Sequence, residues 1–420
     1  MASRLIYGCG VIIAVAMISI GRVDPRVSPV AFFAWLGAAG ASYLTVVWLL
    51  PRTRLESRSA LVFCLGLAAL WRVPLLTAPP LLSTDVYRYV WDGRLQHLGY
   101  NPYTVIPNDP AVAALHDRET EQLNHPWLPT PYPPVAQVFF RVAMRASASV
   151  RAMKAALVLC DALLVLVLWR WLAGSGRDVA CVLAYAWNPL VALEVAGNGH
   201  VDVLGALLLV LSAWCLTERR HLLAATAWML AIGVKVLPIV LAPLFWKRVR
   251  SRDVALGAVV LIVFYVPFVS RHGLPIGSLG TYLDYWRFNA PLFGIAEAVL
   301  PARLLMACAA LSGVAVAARL RQVCPVDAPA AWAWPLAFVL LAAPAVYPWY
   351  LLWLAPFLAG GATWPLAVWT VSSLSTYLDL VIGMPRWAVA IEYGVVLAAA
   401  VPLMLGVVRH PIEKRSARLR

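Results

Sequence analysis

ALVFCLGLAALWRVPLLT (60–77) runs directly into APPLLSTDVYRYVWDGR (78–94), and the reading of that junction decides the fold. The first stretch is apolar almost throughout and approaches the roughly 20 residues a helix needs to cross a bilayer. The second brings carboxylates, arginines and tyrosines together within a few residues. Apolar windows of similar length recur along the chain. The spans read from them are 5–21, 30–50, 60–77, 152–172, 179–196, 202–217, 221–234, 236–246, 253–269, 301–319, 331–345, 349–361, 364–381 and 387–408. Only 79–151 interrupts them at length. Of 420 residues, 62% are hydrophobic and 13% charged, with mean hydropathy +0.78. A soluble domain has about 45–50% apolar and about 25% charged residues. The expected class is an all-α polytopic membrane protein of about 12–14 spans with a large external loop after the third. No fixed-period repeat divides it. It reads as one integral domain, 1–420: N-terminal spans 1–78, a loop 79–151, and a bundle with a basic tail, 152–420.

Leu5–Ile20 leads into a second span without a small-residue cleavage site, so it reads as a retained helix. The net charge of +14 sits in short loops and at the tail, which speaks for membrane orientation and against nucleic acid. With the N-terminus in the cytoplasm, the cytoplasmic side collects Arg4, Arg52, Arg54, Arg58, Lys247, Arg248, Arg250 and Arg252, together with the tail cations Arg409, Lys414, Arg415, Arg418 and Arg420. Outside the long loop and its flanks, the opposite side is sparse, with Arg22, Arg26, Lys235, Arg271, Arg287, Arg303 and Arg386; the loop's own arginines weigh little, because long loops translocate largely regardless of charge. The positive-inside rule then turns 79–151 away from the cytoplasm. The least secure step is 221–246, where Lys235 and Pro238 permit one kinked helix or two short pieces. The seven cysteines have no paired spacing, and buried thiols explain them better than disulfides or zinc.

Asp85 opens a helix-start pattern, S-T-D-x-Y, just past the third span. Ionised, it could accept a proton; equally, Ser83, Thr84 or Asp85 could cap the helix. On a helix over 85–97, Asp85, Arg88 and Asp92 share a face. That face suits a substrate bearing a hydroxyl and a phosphate, or forms a solvated ion-pair surface. GYNPY (99–103) and TPYPP (130–134) are turns, whose Tyr100, Tyr103 and Tyr132 could stack on a sugar. In NPLVALEVAGNGHVD (188–202), Glu194, Asn198, His200 and Asp202 crowd one end of two spans. The Gly197-Asn198-Gly199 turn sets His200 and Asp202 near a helix start, where an anion is welcome. Lys235, inside an apolar run, must face a cavity or a partner. Tyr347, Trp349, Tyr350 and Trp353 read first as an interfacial aromatic belt. No nucleotide-binding loop appears, which favours a lipid-borne donor. A secondary transporter or a flippase is the competing class: it would explain broken helices and Lys235, but a transporter calls for pseudo-symmetric halves that are not visible.

The ordered set DVYRYVWDGRLQHLGYNPY (85–103), YPP (132–134), the Lys154–Asp161 span, NPLVALEVAGNGHVD, VKVLP (234–238) and YPWY (347–350) resembles the GT-C superfamily of membrane glycosyltransferases. Within it, the set looks like the bacterial polyprenol-phosphate-mannose-dependent mannosyltransferases. Residues 83–245 are also similar to the eukaryotic enzyme that adds the first mannose to glycosylphosphatidylinositol. The resemblance implies an inverting transfer of a sugar, with mannose expected, from a polyprenyl-phosphate donor. The acceptor is a hydroxyl on a lipid, glycan or protein, at the non-cytoplasmic face of a bacterial inner or plasma membrane. It makes Asp85 the general base, with Asp92 second. Arg88, His200 and Lys235 would hold the donor phosphate, and Tyr132, Asp202 and Tyr347 would contribute to substrate binding. No cofactor is implied; a carboxylate-bound divalent metal is the alternative left open. In the family the loop usually follows the first helix, whereas here three spans precede it, so two N-terminal helices call for an explanation.

Overall fold

The computed structural model describes residues 2–406 apart from 54, 56, 272 and 359. Arg54 and the tail cations Arg409, Lys414, Arg415, Arg418 and Arg420, counted above for orientation, lie outside the described residues. The chain is helical, and among the described residues extended pairing is confined to isolated bridges at Ser270–Gly273 and Phe288–Ala345. Among the described residues, eight helices are long and apolar enough to cross a membrane, or nine with one bent pair counted as a span; four shorter apolar helices accompany them. The protein is a multi-pass membrane protein.

Three helices come first: α1 (Ala2–Ile20), α2 (Pro29–Leu49) and α3 (Arg58–Thr77). Pro29 starts α2 where its missing N–H costs nothing, and Ser57 caps α3 by accepting the Ala60 N–H at 3.2 Å. The 79–151 stretch then folds into the body instead of standing off it. It contributes α4 (Asp85–His97), whose residues are mostly buried, and the amphipathic α5 (Pro134–Ala143). The long α6 (Val150–Gly174) follows.

Residues 179–196, expected as one span, fall in a pair, Val179–Ala186 and Pro189–Gly197, bent by 54°. Proline removes a helix hydrogen bond, and Asn188 caps the new start by accepting the Leu190 N–H at 3.0 Å. The Asn188 amide also donates to Tyr43 of α2 and to Thr370, each at 3.0 Å. Tyr43 in turn donates to the Ala184 carbonyl at 2.8 Å. Of the two additional N-terminal helices, α2 therefore braces this bend. Beyond Pro189 the helix widens into a π turn, Ala192–Gly197, which ends at Gly199 with φ +76°. Such turns disturb the regular ladder and recur at functional sites.

Next come α7 (Asp202–Thr217), α8 (His221–Val234), α9 (Ser251–Tyr265) and the short α10 (Leu279–Tyr285). The fold closes with α11 (Ala302–Val323), α12 (Pro329–Leu341), α13 (Trp364–Ser372) and α14 (Arg386–Met404). Two expected spans are shorter than the sequence suggested. Residues 236–246 hold only a 3-10 turn and the four-residue Ala242–Phe245 helix, because Lys235 adopts extended backbone and Pro238 follows. Residues 349–361 hold 3-10 turns, Pro348–Trp353 and Ala355–Phe357, interrupted at Leu354, with Pro356 in the second. The 221–246 run is thus two pieces broken at Lys235.

A buried ion pair ties α3, α6 and the bent pair together. Arg72 Nε donates to Asp161 at 2.5 Å, Tyr185 OH donates to the other carboxylate oxygen at 2.7 Å, and Arg72 also reaches the Ala186 carbonyl at 3.0 Å. Asp161→Ala leaves the guanidinium buried without its counter-charge and is expected to cost about 3–5 kcal/mol, read as a lowered melting temperature in detergent. The double variant Arg72→Met with Asp161→Leu should recover most of that loss.

Candidate functional site

Asp85 is the first residue of α4, yet its carboxylate does not cap the helix. Its backbone N–H meets Ser83 Oγ at 3.3 Å. The carboxylate instead accepts from the Asn124 amide at 2.6 Å and from the Tyr132 hydroxyl at 3.2 Å. The side chain is 18% exposed, on the wall of a cavity of about 760 Å³. Burial holds the carboxyl above its ordinary range, while the Asn124 and Tyr132 hydrogen bonds and the Lys235 charge pull it back towards ionisation.

The cavity lining is of two unlike kinds. Asp85, Asn124, Tyr132, Asp202 and Lys235 supply polar and charged groups. Aliphatic side chains supply the rest, among them Val236, Ile239, Met306 and Leu340 from the 236–240 turn, α11 and α12. Val236 and Ile239 are themselves exposed.

Lys235 stands at the break after α8. Its ammonium donates to Asp202 at 2.8 Å and lies 3.6 Å above the Tyr350 ring. One third of the side chain remains exposed, so the charge is anchored but open to the cavity. Asp202 also accepts from Trp353 Nε1 at 2.7 Å. The Trp353 indole fills the space where a side chain at Gly205 would stand, so only glycine lets the ring reach Asp202.

The sequence placed Asp85, Arg88 and Asp92 on one face of α4, and that face exists. What it meets differs. The Arg88 guanidinium donates to the carbonyls of Asn124, His125 and Leu128 at 2.8–3.1 Å and pins the loop that carries Asn124. Those bonds use three of the five guanidinium N–H groups, and Arg88 also lines the cavity. Asp92 is buried and accepts from Thr130 at 2.5 Å and Gln137 at 2.8 Å. Burial pushes its carboxyl up to about 6, against the Arg88 charge and those two bonds. It does not line the cavity and is no second base by position.

His200 is likewise fully buried, behind Asp85 and stacked on Trp349 at 4.2 Å. With the ring off the cavity wall, no phosphate there can touch it. Tyr132 and Tyr347 do line the cavity, Tyr347 stacked between Phe288 and Trp349. The aromatics read as an interfacial belt therefore split differently: Tyr347, Trp349 and Tyr350 line the cavity, and Trp353 is buried on Asp202. Asn124 was not foreseen. It lies in a polar stretch with no motif, and only the fold brings it to Asp85.

Comparison with known proteins bears on this stretch. The profile of the MptA_B family, described as alpha-(1->6)-mannopyranosyltransferase, N-terminal domain, matches residues 11–250. A probable alpha-(1->6)-mannopyranosyltransferase of Mycolicibacterium smegmatis is 29% identical over 179 residues, 39% of this chain and 31% of that protein. An alpha-(1->6)-mannopyranosyltransferase of Mycobacterium tuberculosis is 30% identical over 146 residues, 32% of this chain and 24% of that one. The chain thus spans less than a third of the length of either. Alpha-(1->6)-mannopyranosyltransferase A of Mycobacterium tuberculosis is similar over more of the fold, 24% identical across 408 residues, 83% of this chain and 76% of that protein. The profile match includes Asp85, Asn124, Tyr132, Asp202 and Lys235; Tyr347 and Trp353 lie beyond it.

Proposed function

The chain belongs to the alpha-(1->6)-mannopyranosyltransferase family, and on that premise we propose that it transfers a mannosyl group from a polyprenyl-phosphate donor to an acceptor hydroxyl. The observation that carries the reading is the mixed lining of the cavity. A partly exposed carboxylate and an anchored ammonium line it together with a set of aliphatic side chains. A sugar-phosphate head matches the charged groups and a polyprenyl tail the aliphatic ones. The charge asymmetry of the loops supports a site on the non-cytoplasmic face.

In this mechanism Asp85 accepts the proton of the acceptor hydroxyl as that oxygen bonds to the anomeric carbon. The bond from that carbon to the phosphate oxygen breaks on the opposite side, so a β-linked donor gives an α-mannoside. The polyprenyl phosphate departs with an additional negative charge, which Lys235 stabilises. Asn124 and Tyr132 hold the Asp85 carboxylate in place, and Tyr132, Tyr347 and Tyr350 offer ring faces to the sugars. The step as written draws on no metal or cofactor.

The donor class is tested with the purified chain in proteoliposomes, offered mannose on polyprenyl phosphate or on a nucleotide, with a mannoside acceptor. The expected result is product from the lipid donor alone, with an α anomeric signature by NMR. Turnover of the nucleotide sugar, or a β product, overturns the reading.

A further inference from the structure

Behind Asp85, away from the cavity, lies a line of side chains that the transfer step above does not use. His200 Nδ1 is 3.8 Å from Asp85 Oδ2, and His200 Nε2 is 3.3 Å from Glu194 Oε2. Both His200 and Glu194 are fully buried. Neither ring nitrogen makes a hydrogen bond of good geometry within the protein. Glu194 is itself held from two sides, by the Asn198 amide at 3.1 Å and by the Tyr377 hydroxyl. The π turn sets this up: the His200 N–H donates to the Glu194 carbonyl at 2.8 Å, and Gly199 takes the positive φ that folds the chain back.

We propose that His200 is a positioning residue for Asp85, donating from Nδ1–H to the carboxylate, with its tautomer fixed by a proton that Glu194 donates to Nε2. This rests on the reading of Asp85 as the base. The argument is one of donors and acceptors. A carboxylate that is to accept a proton is ionised and offers only lone pairs, so the atom facing it must carry a hydrogen. A neutral imidazole with Nδ1–H has its lone pair on Nε2, which faces Glu194 Oε2. Two lone pairs cannot meet at that distance, so the Glu194 oxygen carries the proton. Burial and the Lys235 charge hold the imidazole well below its ordinary proton affinity, which keeps the ring neutral. Stacking on Trp349 fixes its plane. The Nδ1 contact is longer than a hydrogen bond, and contacts of this kind tighten when substrate is bound. The other titratable groups around the line are Arg88, Tyr89, Tyr132, Asp202, Lys235, Tyr282, Tyr347 and Tyr377; of these only Tyr132 also donates to Asp85.

The test compares His200→Leu, His200→Asn and Glu194→Gln in the full-length chain, following kcat/KM against pH with folding monitored by thermal melts. A donor to an ionised group favours the charged form, so its loss raises the Asp85 pKa. His200→Leu should shift the acid limb to higher pH by about one unit, so that the rate on the acid side of the wild-type limb falls about tenfold. The Asn amide nitrogen falls near the Nδ1 position, and His200→Asn should restore the limb to within about 0.3 unit of wild type, since it supplies the same N–H. Glu194→Gln, whose amide also donates to Nε2, should keep the limb in place with a rate a few-fold lower.

Equal profiles for Leu and Asn, whether both normal or both depressed without a limb shift, overturn the proposal. So does a Glu194→Gln limb displaced as far as that of His200→Leu. If the Leu variant does not fold, a shifted limb in either remaining variant overturns the proposal and unshifted limbs in both support it. An inactive Asp85→Asn together with an unmoved His200→Leu limb defeats this inference alone. An active Asp85→Asn defeats the assignment of the base.

Discussion

Asp85→Asn, expressed to wild-type level, is expected to lower mannosyl transfer by about 10²–10⁴-fold at neutral pH, the usual share of a positioned general base. The substitution is nearly isosteric. It keeps an oxygen that can accept from Asn124 or Tyr132, so the local fold should persist while the proton acceptor is lost. Donor binding should survive, because the ammonium and the aliphatic wall are untouched, so kcat falls and donor KM changes little. The measurement is initial rate against donor concentration in proteoliposomes. A variant within threefold of wild type, about the scatter of such rates, would remove Asp85 from the base role.

The pH dependence follows from the same carboxyl. The base works only when ionised, and its folded-state pKa is raised, mainly by burial. The rate must therefore fall with decreasing pH, along a limb lying above the pH of about 3.9 at which a free aspartate titrates. Asn124→Leu removes a bond that favours the charged form. Its acid limb is expected at still higher pH than that of wild type, with the plateau reached only under more alkaline conditions.

How much of this was legible beforehand divides along a physical line. The membrane class, the long apolar helices and the start of α4 at Asp85 follow from local composition and periodicity, which act within a window of about 20 residues. Lys235 was legible for a related reason: a lysine in an apolar run must have a reason to be there. Its partner Asp202 lies 33 residues away in the chain, and only packing unites them. Arg88 shows the opposite outcome. Its residue type and helix face suggested a phosphate, but a guanidinium satisfies backbone carbonyls equally well. Which it meets depends on where the 124–128 loop lies, and no pattern in that loop states this. The aromatic belt was misassigned because a tryptophan at an interface and one at a cavity share the same local sequence. Pro356 carried a better signal, since a proline inside 349–361 disfavours the straight span expected there.

Lys235→Met is expected to lower kcat by about 10²–10³-fold, the loss typical when a donor aimed at developing charge is removed. In the proposed mechanism that charge is the extra negative charge on the polyprenyl phosphate as the glycosidic bond breaks, so kcat should suffer more than donor KM. One confounding effect is built into the structure. Without the ammonium, Asp202 is left buried with only the Trp353 N–H, and an unpaired buried carboxylate is itself disruptive. The double variant Lys235→Met with Asp202→Asn separates the two effects. If Lys235 served only to neutralise Asp202, the double variant would regain activity. If the ammonium acts on the leaving phosphate, the double variant regains thermal stability while transfer remains depressed. Lys235→Arg should stand between, since it keeps the charge but replaces a compact ammonium over the Tyr350 ring with a planar guanidinium. Stability recovered without activity is thus the result that assigns this charge to the chemistry and not to the fold.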